Sequence, residues 1–243
     1  MNKIVKSLWI GNQLSNNEIL CIKSFLYHKH EFHLYAYNEI KNLPNGVKLM
    51  DANTILSESL LFKDSAGTYA SFADWFRLKL LYELGGWWVD MDLICLQPFN
   101  IEQEYCISSE REFETNQKSI NNTCMKFPEK SSHLEQIIKI VDDKIKANNE
   151  IQWGEIGVYL FRSCFTEGTE LYGYVNDAEV FCPVNYFSIS ELICKCDFSP
   201  SYRSLSIHLW NEIWRRGCLD KNAIYHPESI YEQLKLKYFS ISY

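Results

Sequence analysis

The hydrophobic pattern of the first part of the chain predicts alternating strands and helices. A β-branched and aromatic run from Ile4 to Ile10 predicts a strand that ends at Gly11. From Ser15 to Tyr27, a capping-box pair is followed by apolar residues at helical spacing, which predicts a helix. Runs from Glu31 to Tyr37 and from Val47 to Met50 predict two strands that pair with each other. This alternation predicts an α/β layered fold.

The middle of the chain continues this alternation. Apolar spacing predicts a helix from Ser71 to Leu84, and Gly85-Gly86 supplies residues for its C-terminal cap. A strand from Trp87 to Asp90 follows directly. The remaining predicted elements are strands near Tyr105 to Ser108 and Thr123 to Phe127, and an amphipathic helix from Ser132 to Ala147.

Length and composition restrict the class of protein. With 243 residues, the chain is expected to form a single domain spanning residues 1–243. The hydrophobic share of 47% and the charged share of 23% are those of an ordinary globular protein. A net charge of −7, without a basic stripe, argues against a general nucleic-acid binder. We therefore expect no nucleic-acid partner.

The cysteines and the chain ends bear on location. Nine scattered cysteines without a Cys-x-x-Cys pair indicate a reducing compartment. Residues 1–11 lack the features of a signal peptide, and no apolar run is long enough for a membrane span. From Tyr231 to Tyr243, apolar residues alternate with lysines, as in a packing element or a segment that contacts a membrane surface. We expect a cytoplasmic protein, with peripheral contact with the inner membrane surface left open.

The helix from Ser71 to Leu84 carries two polar stripes. At about 100° per residue, Lys79 lies on one side, whereas Asp74 and Arg77 lie on another, among apolar side chains. Charged groups in such surroundings need a partner or a polar ligand. Asp74 and Arg77 therefore form a local salt bridge or bind a polar ligand through the guanidinium fork.

Two aspartates follow the strand that starts at Trp87. In an extended segment, Asp90 and Asp92 would face the same way, with Met91 on the opposite side. A divalent cation relieves the repulsion between two such carboxylates, and hard oxygen ligands suit Mn²⁺ or Mg²⁺. The pair lies at the end of an apolar strand, where α/β sheets bind ligands. Asp90 and Asp92 are therefore candidates for a metal-dependent catalytic site.

The segment from Ala73 to Asp92 resembles the signature of glycosyltransferase family 32, the family with a DxD-containing sugar-binding region. The shared features are an Asp three residues before an Arg, a Leu-Tyr-containing helix, Gly-Gly, an aromatic residue and DxD. This family is related to the α-1,4-galactosyltransferases and the clostridial glucosylating toxins. The resemblance implies a GT-A fold, in which one nucleotide-binding α/β sandwich has a mostly parallel central sheet.

The resemblance also implies an activity. It predicts a retaining, Mn²⁺- or Mg²⁺-dependent hexosyltransferase that uses a nucleotide sugar such as UDP-galactose, UDP-glucose or an N-acetyl form. The implied acceptor is a glycan or glycolipid, and the implied pathway is bacterial capsule, lipopolysaccharide or other surface polysaccharide synthesis. Retention would proceed through a covalent carboxylate intermediate or by front-face attack.

Site residues follow from the resemblance at matching positions. The Trp-Ile-Gly start of the family matches residues 9–11, the closing His-x-Trp-Asn matches residues 208–211, and an acceptor-side loop matches residues 153–158, where Val158 replaces a common proline. The implied metal ligands are Asp92 and His208. The implied catalytic residues are Asp90, Asp92 and Glu155, and the implied donor-binding residues are Trp9, Ile10, Asp74, Arg77, Asp90 and Asn211.

Two other functions remain open at the level of sequence. A phosphatase or phosphotransferase of the haloacid dehalogenase kind also places DxD after an apolar strand, but Leu93-Ile94 stands here in place of its usual Gly-Thr. A non-catalytic module could bind a sugar nucleotide without turning it over. Release of phosphate from a phosphomonoester would favour the first, and binding without hydrolysis would favour the second.

Overall fold

The computed structural model describes residues 3–147, 150–197 and 199–240. Its central feature is a six-stranded sheet, accompanied by a two-stranded sheet. The strands are β1 (Ile4–Trp9), β2 (Glu31–Ala36), β3 (Lys48–Asp51), β4 (Gly86–Val89), β5 (Leu93–Cys95), β6 (Cys106–Arg111), β7 (Lys118–Phe127) and β8 (Ser206–His208). The helices are α1 (Asn16–Tyr27), α2 (Ala70–Leu84), α3 (Ser132–Lys146), α4 (Val158–Cys164), α5 (Ala178–Phe181), α6 (Ser190–Ile193), α7 (Asn211–Arg216) and α8 (Ile230–Phe239).

The large sheet is mostly parallel. Its order is β3-β2-β1-β4-β7-β6, and β3, β2, β1 and β4 pair in parallel. Strand β7 runs antiparallel to both of its neighbours, β4 and β6. The small sheet pairs β5 with β8 in antiparallel orientation. The predicted α/β fold with a mostly parallel central sheet is confirmed.

Local sequence signals explain how α1 and α2 begin and end. The capping box at the start of α1 is present, with the Ser15 amide donating to the Glu18 carboxylate at 2.7 Å. Helix α2 ends at Gly85, which adopts a positive φ of 54°. A side chain at Gly85 would place its Cβ 2.6 Å from the Glu129 amide nitrogen. Glycine therefore serves both the turn and the close packing against the segment before α3.

Two predicted segments differ from the structure. Strands β6 and β7 extend beyond their predicted ranges into one antiparallel hairpin, because polar residues continue both buried strands. Between β4 and β5 the chain does not remain extended, since the Leu93 amide donates to the Asp90 carbonyl at 3.1 Å and closes a turn. Asp90 and Asp92 therefore lie on a turn, and the expected strand-like alternation does not apply to them.

Apolar residues cover both faces of the large sheet. In β4, Trp87 and Val89 pack into the layer that includes α1 and α8, whereas Trp88 packs into the layer with α2, α3 and α4. This alternation is that of a strand buried on both faces. The two layers fix the position of the carboxyl ends of β1 and β4, where the chain turns into the candidate site.

The C-terminal stretch is a packing element as far as it is described. Tyr231, Leu234 and Tyr238 of α8 are buried against the layer that holds α1. The predicted stretch ends at residues 241–243, which lie outside the described residues. Among the helices described, none is both long and apolar enough to cross a membrane.

Candidate active site

A cavity of about 990 Å³ opens at the carboxyl ends of β1 and β4. Its volume lies at the upper end of the range for small-molecule sites. Eight of the nine residues predicted for the site line it, and Glu155 does not. The eight are Trp9, Ile10, Asp74, Arg77, Asp90, Asp92, His208 and Asn211.

Arg77 connects α2 to the DxD turn. Its guanidinium lies 3.1 Å from the carboxylate of Asp74 and 2.9 Å from that of Asp90. It also donates to the carbonyl of Asn122 at 2.6 Å and lies over the ring of Trp88 at 4.9 Å. The local salt bridge, one of the two alternatives left open for Asp74 and Arg77, is present, and the same arginine reaches the DxD turn. The buried Arg77 guanidinium therefore binds one carboxylate from α2 and one from the DxD turn.

Asp74 sits deep in this network. Burial raises the pKa of its carboxyl group to about 6, against the opposing effect of Arg77. The amide of Asn122 donates to its Oδ1 at 2.8 Å. On its other side Asp74 faces Gly157, where an added Cβ would lie 1.9 Å from Oδ2. Only glycine at position 157 leaves room for this carboxylate.

Asp90 and Asp92 have different partners although they are two residues apart. Asp90 accepts from the Trp88 indole at 2.8 Å as well as from Arg77. Burial raises the pKa of the Asp90 carboxyl group, while Arg77 opposes that rise. Asp92 accepts instead from His208 at 3.1 Å and from the Asn211 amide at 2.6 Å.

The contacts of Asp92 depend on the pairing of β5 with β8. Leu93 and His208 are partners in this ladder, and the Leu209 amide donates to the Asp92 carbonyl at 2.9 Å. Burial tends to raise the pKa of Asp92, but His208 and the Asn211 amide outweigh it and lower the pKa to about 2. Burial likewise tends to lower the pKa of His208, yet Asp92 raises it well above its usual value. Without a metal ion these two side chains favour an ion pair, whereas metal binding requires a neutral His208.

Asp90, Asp92 and His208 are suited to hold a divalent cation. Each offers one ligand atom, and these atoms lie within 4.8 Å of one another. The 3.1 Å between the His208 Nε2 and the Asp92 Oδ1 fits adjacent ligands of an octahedral ion, which lie about 3 Å apart at bond lengths of about 2.1 Å. Carboxylate and imidazole groups both bind divalent cations, so the residues present fit a divalent metal ion.

Two further predicted residues have other partners in the structure. The side chain of Asn211 bonds to Asn17 and Glu18, so only its backbone amide reaches the DxD turn. Glu155 forms an ion pair with Lys144 at 2.5 Å, outside the cavity. Hydrogen bonding by Lys144 lowers the pKa of Glu155. Its predicted acceptor-side role remains a prediction without support from its position.

The cavity also contains polar residues that sequence reasoning missed. Glu110 is 9% exposed, accepts from Arg162 at 2.7 Å and from Asn121 at 3.1 Å, and lines the cavity with both. Burial raises the pKa of Glu110. A signal was available, because the polar run 108–110 interrupts a strand that begins apolar, as does the pair Asn121-Asn122 in β7. Buried polar side chains within strands often mark a site.

A family model described as "Glycosyltransferase sugar-binding region containing DXD motif" matches residues 15–111. The matched range contains α2, the turn with Asp90 and Asp92, and β6. The chain carries a DXD glycosyltransferase sugar-binding region. This match confirms the resemblance and the enzyme class predicted from the sequence, a glycosyltransferase. The DXD region and the mostly parallel sheet together confirm the predicted GT-A type of α/β fold.

Several solved glycosyltransferases are similar in structure, and no functionally curated protein matches the chain. The PaToxG glycosyltransferase is 17% identical, with a TM-score of 0.49, over 71% of this chain and 69% of its own. Glycosyltransferase GlyE of Streptococcus pneumoniae TIGR4 is 17% identical, with a TM-score of 0.46, over 72% of this chain and 45% of its own. The catalytic domain of alpha-toxin from Clostridium novyi is 10% identical, with a TM-score of 0.46, over 98% and 76%. This chain thus spans less than half the length of GlyE.

Proposed function

We propose that the protein is a retaining, divalent-metal-dependent hexosyltransferase that uses a UDP-sugar donor. The observation that carries the proposal is the convergence of Asp90, Asp92 and His208 in a cavity, with Arg77 2.9 Å from the Asp90 carboxylate. A diphosphate needs positive charge, and a cation held by Asp92 and His208 near a buried arginine supplies it. The DXD family match supports the sugar-transfer class.

Each donor-side residue has a proposed role. Asp92 and His208 hold Mn²⁺ or Mg²⁺, and Asp90 contacts the ribose or the sugar while Arg77 fixes its orientation. When bound, the metal ion neutralises charge on the leaving diphosphate. Asp74 accepts hydrogen bonds from donor hydroxyls. This division follows the different partners of the two DxD carboxylates.

Trp9 and Ile10 lie at the end of β1 on the cavity wall, where we propose that they contact the nucleobase. The Trp9 Nε1 atom is buried and has no hydrogen-bond partner among the described residues. A planar base stacked on an indole places apolar surface against apolar surface, and an indole N–H is free to donate. Asn211 contributes its backbone amide near the diphosphate.

The wider setting is part of the same proposal and depends on the family resemblance. We propose that residues 1–243 form a single catalytic domain, since both apolar layers flank one sheet. The acceptor would be a glycan or glycolipid of a bacterial surface polysaccharide. The protein would act in the cytoplasm, at the inner face of the membrane where such acceptors are presented.

The test is a panel of sugar nucleotides with and without metal. UDP-galactose, UDP-glucose, their N-acetyl forms and GDP-mannose are incubated with the protein in Mn²⁺ or EDTA, and release of UDP or GDP is measured. We expect hydrolysis of at least one UDP-sugar in Mn²⁺ and none in EDTA.

The same panel, with p-nitrophenyl phosphate added, separates the competing functions. Release of phosphate from p-nitrophenyl phosphate without nucleotide-sugar turnover would indicate a phosphotransferase and contradict the proposal. Metal-dependent binding of a UDP-sugar without hydrolysis or transfer would indicate a non-catalytic module. Retention itself is read from the anomeric configuration of the released sugar by NMR.

A further inference from the structure

A row of aromatic side chains leads from the candidate metal site to the surface. The ring centroids of His208 and Trp210 lie 3.9 Å apart, and those of Trp210 and Tyr186 lie 5.9 Å apart. The ring centroid of Phe187 lies 5.1 Å from that of Tyr186 and 5.2 Å from that of Phe113. Trp210 is 7% exposed, whereas Phe113 is 67% exposed. The row, defined as residues 210, 186, 187 and 113, thus connects the candidate metal site with solvent.

Two chain segments carry the outer part of this row. In the hairpin loop between β6 and β7, Glu112 lines the cavity and Phe113 lies just outside it. In the turn after α5, Tyr186 lines the cavity and Phe187 lies just outside it. Both segments therefore pass from the cavity to the surface at the same place, and the aromatic surface is continuous with the site.

Polar groups border the inner end of the row. Arg162 forms ion pairs with Glu110 at 2.7 Å and with Glu112 at 3.1 Å, and all three line the cavity beside Tyr186. Carboxylates accept hydrogen bonds from hydroxyls, and a guanidinium donates to them. A pyranose ring has an apolar C–H face and a rim of hydroxyls. Aromatic faces beside such polar groups match this chemistry.

The charge around the outer end favours a neutral ligand. Glu114 and the Arg162-paired Glu112 flank Phe113 in the sequence, and the chain has a net charge of −7. An anionic membrane surface would be repelled by Glu114 and by the net negative charge of the chain. A second copy of the chain would bring the same carboxylates together. A neutral saccharide meets neither penalty.

We propose that the aromatic row binds an acceptor of at least two linked sugar rings, with one ring against Tyr186 in the cavity and the next against Phe187 and Phe113. The proposal rests on the glycosyltransferase function proposed above. It names an oligosaccharide, instead of a single sugar, as the acceptor class.

The experiment compares four proteins by isothermal titration calorimetry in Mn²⁺ and UDP. They are the wild type, the double variant Phe113→Ala/Phe187→Ala, its conservative counterpart Phe113→Tyr/Phe187→Tyr, and the control Tyr202→Ala. Tyr202 is 88% exposed and lies outside the cavity lining. The Tyr202→Ala variant therefore controls for the loss of an exposed aromatic ring outside the row. The probes are cellotetraose, maltotetraose and chitotetraose, with glucose and N-acetylglucosamine as single-ring controls.

We expect at least one tetrasaccharide to bind the wild type, the conservative variant and the Tyr202→Ala control with similar affinity. The double alanine variant should bind it about tenfold more weakly, because two stacking contacts are lost. Binding of the single sugars and metal-dependent hydrolysis of the donor should not change. Hydrolysis is measured on the same samples.

Three results would overturn the inference: tetrasaccharide affinity unchanged in the double alanine variant, no tetrasaccharide binding by the wild type, or a wild-type dimer that the double variant dissociates. The last result, read by sedimentation, would identify a second copy of the chain as the occupant. Failure of the proposed function has a separate signature, since no sugar nucleotide would then be hydrolysed whatever the calorimetry shows.

Discussion

The two walls of the cavity are assembled in different ways. The N-terminal wall takes Asp74, Arg77 and Asp90 from one continuous helix, turn and strand, held together by a single guanidinium. The opposite wall brings Arg162 from α4 next to Glu110 and Glu112 of the β6–β7 hairpin, and His208 from β8 pairs with Asp92. The first wall depends on local spacing, and the second depends on tertiary contacts between distant segments.

The difference also concerns how charge is held. On the N-terminal wall, Asp74 and Arg77 are both less than 10% exposed, so their attraction acts in a medium that screens little. On the opposite wall, the Arg162 side chain is 29% exposed, and its partners Glu110 and Glu112 are 11% and 38% exposed. The N-terminal wall should therefore tolerate the loss of a partner less well than the opposite wall.

The largest effect is expected for Arg77→Met. This change leaves Asp74 and Asp90 without their shared cation, and removal of one partner of a buried ion pair costs about 3–5 kcal/mol. Hydrolysis of the donor should fall about 1000-fold, as for loss of a charge-stabilising donor. Urea unfolding and UDP release at a temperature where the variant is folded measure the two effects separately.

Lys79→Met on the same helix is the matched control for Arg77→Met. Lys79 pairs with Asp142 at 2.8 Å, and both side chains are about one-quarter exposed. Such a pair contributes about 1 kcal/mol or less, and hydrolysis should stay within about twofold of wild type. Equal loss of activity in the two variants would show that the buried stripe of α2 has no special role.

A smaller effect is expected for Gly157→Ala, which acts on Asp74 from the neighbouring loop. The new Cβ would lie 1.9 Å from the Asp74 Oδ2, so the carboxylate must move away from its position beside Arg77. A displacement of about 1 Å in a positioning group can lower a rate about 100-fold. Steady-state hydrolysis of the donor measures the loss.

Gly173→Ala controls for the loss of a glycine as such. An added Cβ at Gly173 meets no atom within 4 Å among the described residues, and this change should leave hydrolysis unaltered. If Gly157→Ala and Gly173→Ala both retained full activity, the position of Asp74 would be irrelevant to turnover.

The contrast between the walls explains what the sequence could predict. The spacing of Asp74, Arg77 and the DxD pair follows from one helix and one turn, and Gly85 marked the turn between them. The partner of Asp92 was found only because the closing segment resembled a known family. Periodicity alone gives no reason to place His208 beside a residue 116 positions earlier.

The missed residues have a related cause. Glu110 and Asn121 hydrogen-bond across a hairpin whose strands extend beyond their apolar residues. The predicted strands covered only the apolar runs and were therefore too short. Arg162 reaches them from α4, and no local pattern encodes that contact. Conversely, Glu155 lies in a segment that resembled an acceptor loop, yet its side chain forms a salt bridge with Lys144 outside the cavity.

The most direct test of the account is the Mn²⁺ dependence of UDP-sugar hydrolysis in Asp92→Asn, with Glu155→Gln as the matched carboxylate-to-amide control. Asp92 is proposed to hold the metal with His208, whereas Glu155 lies outside the cavity. We predict that Asp92→Asn lowers metal-dependent hydrolysis at least about 100-fold while the circular dichroism spectrum stays that of wild type. Glu155→Gln should remain within about twofold. Full Mn²⁺-dependent hydrolysis by Asp92→Asn would contradict the proposed metal site.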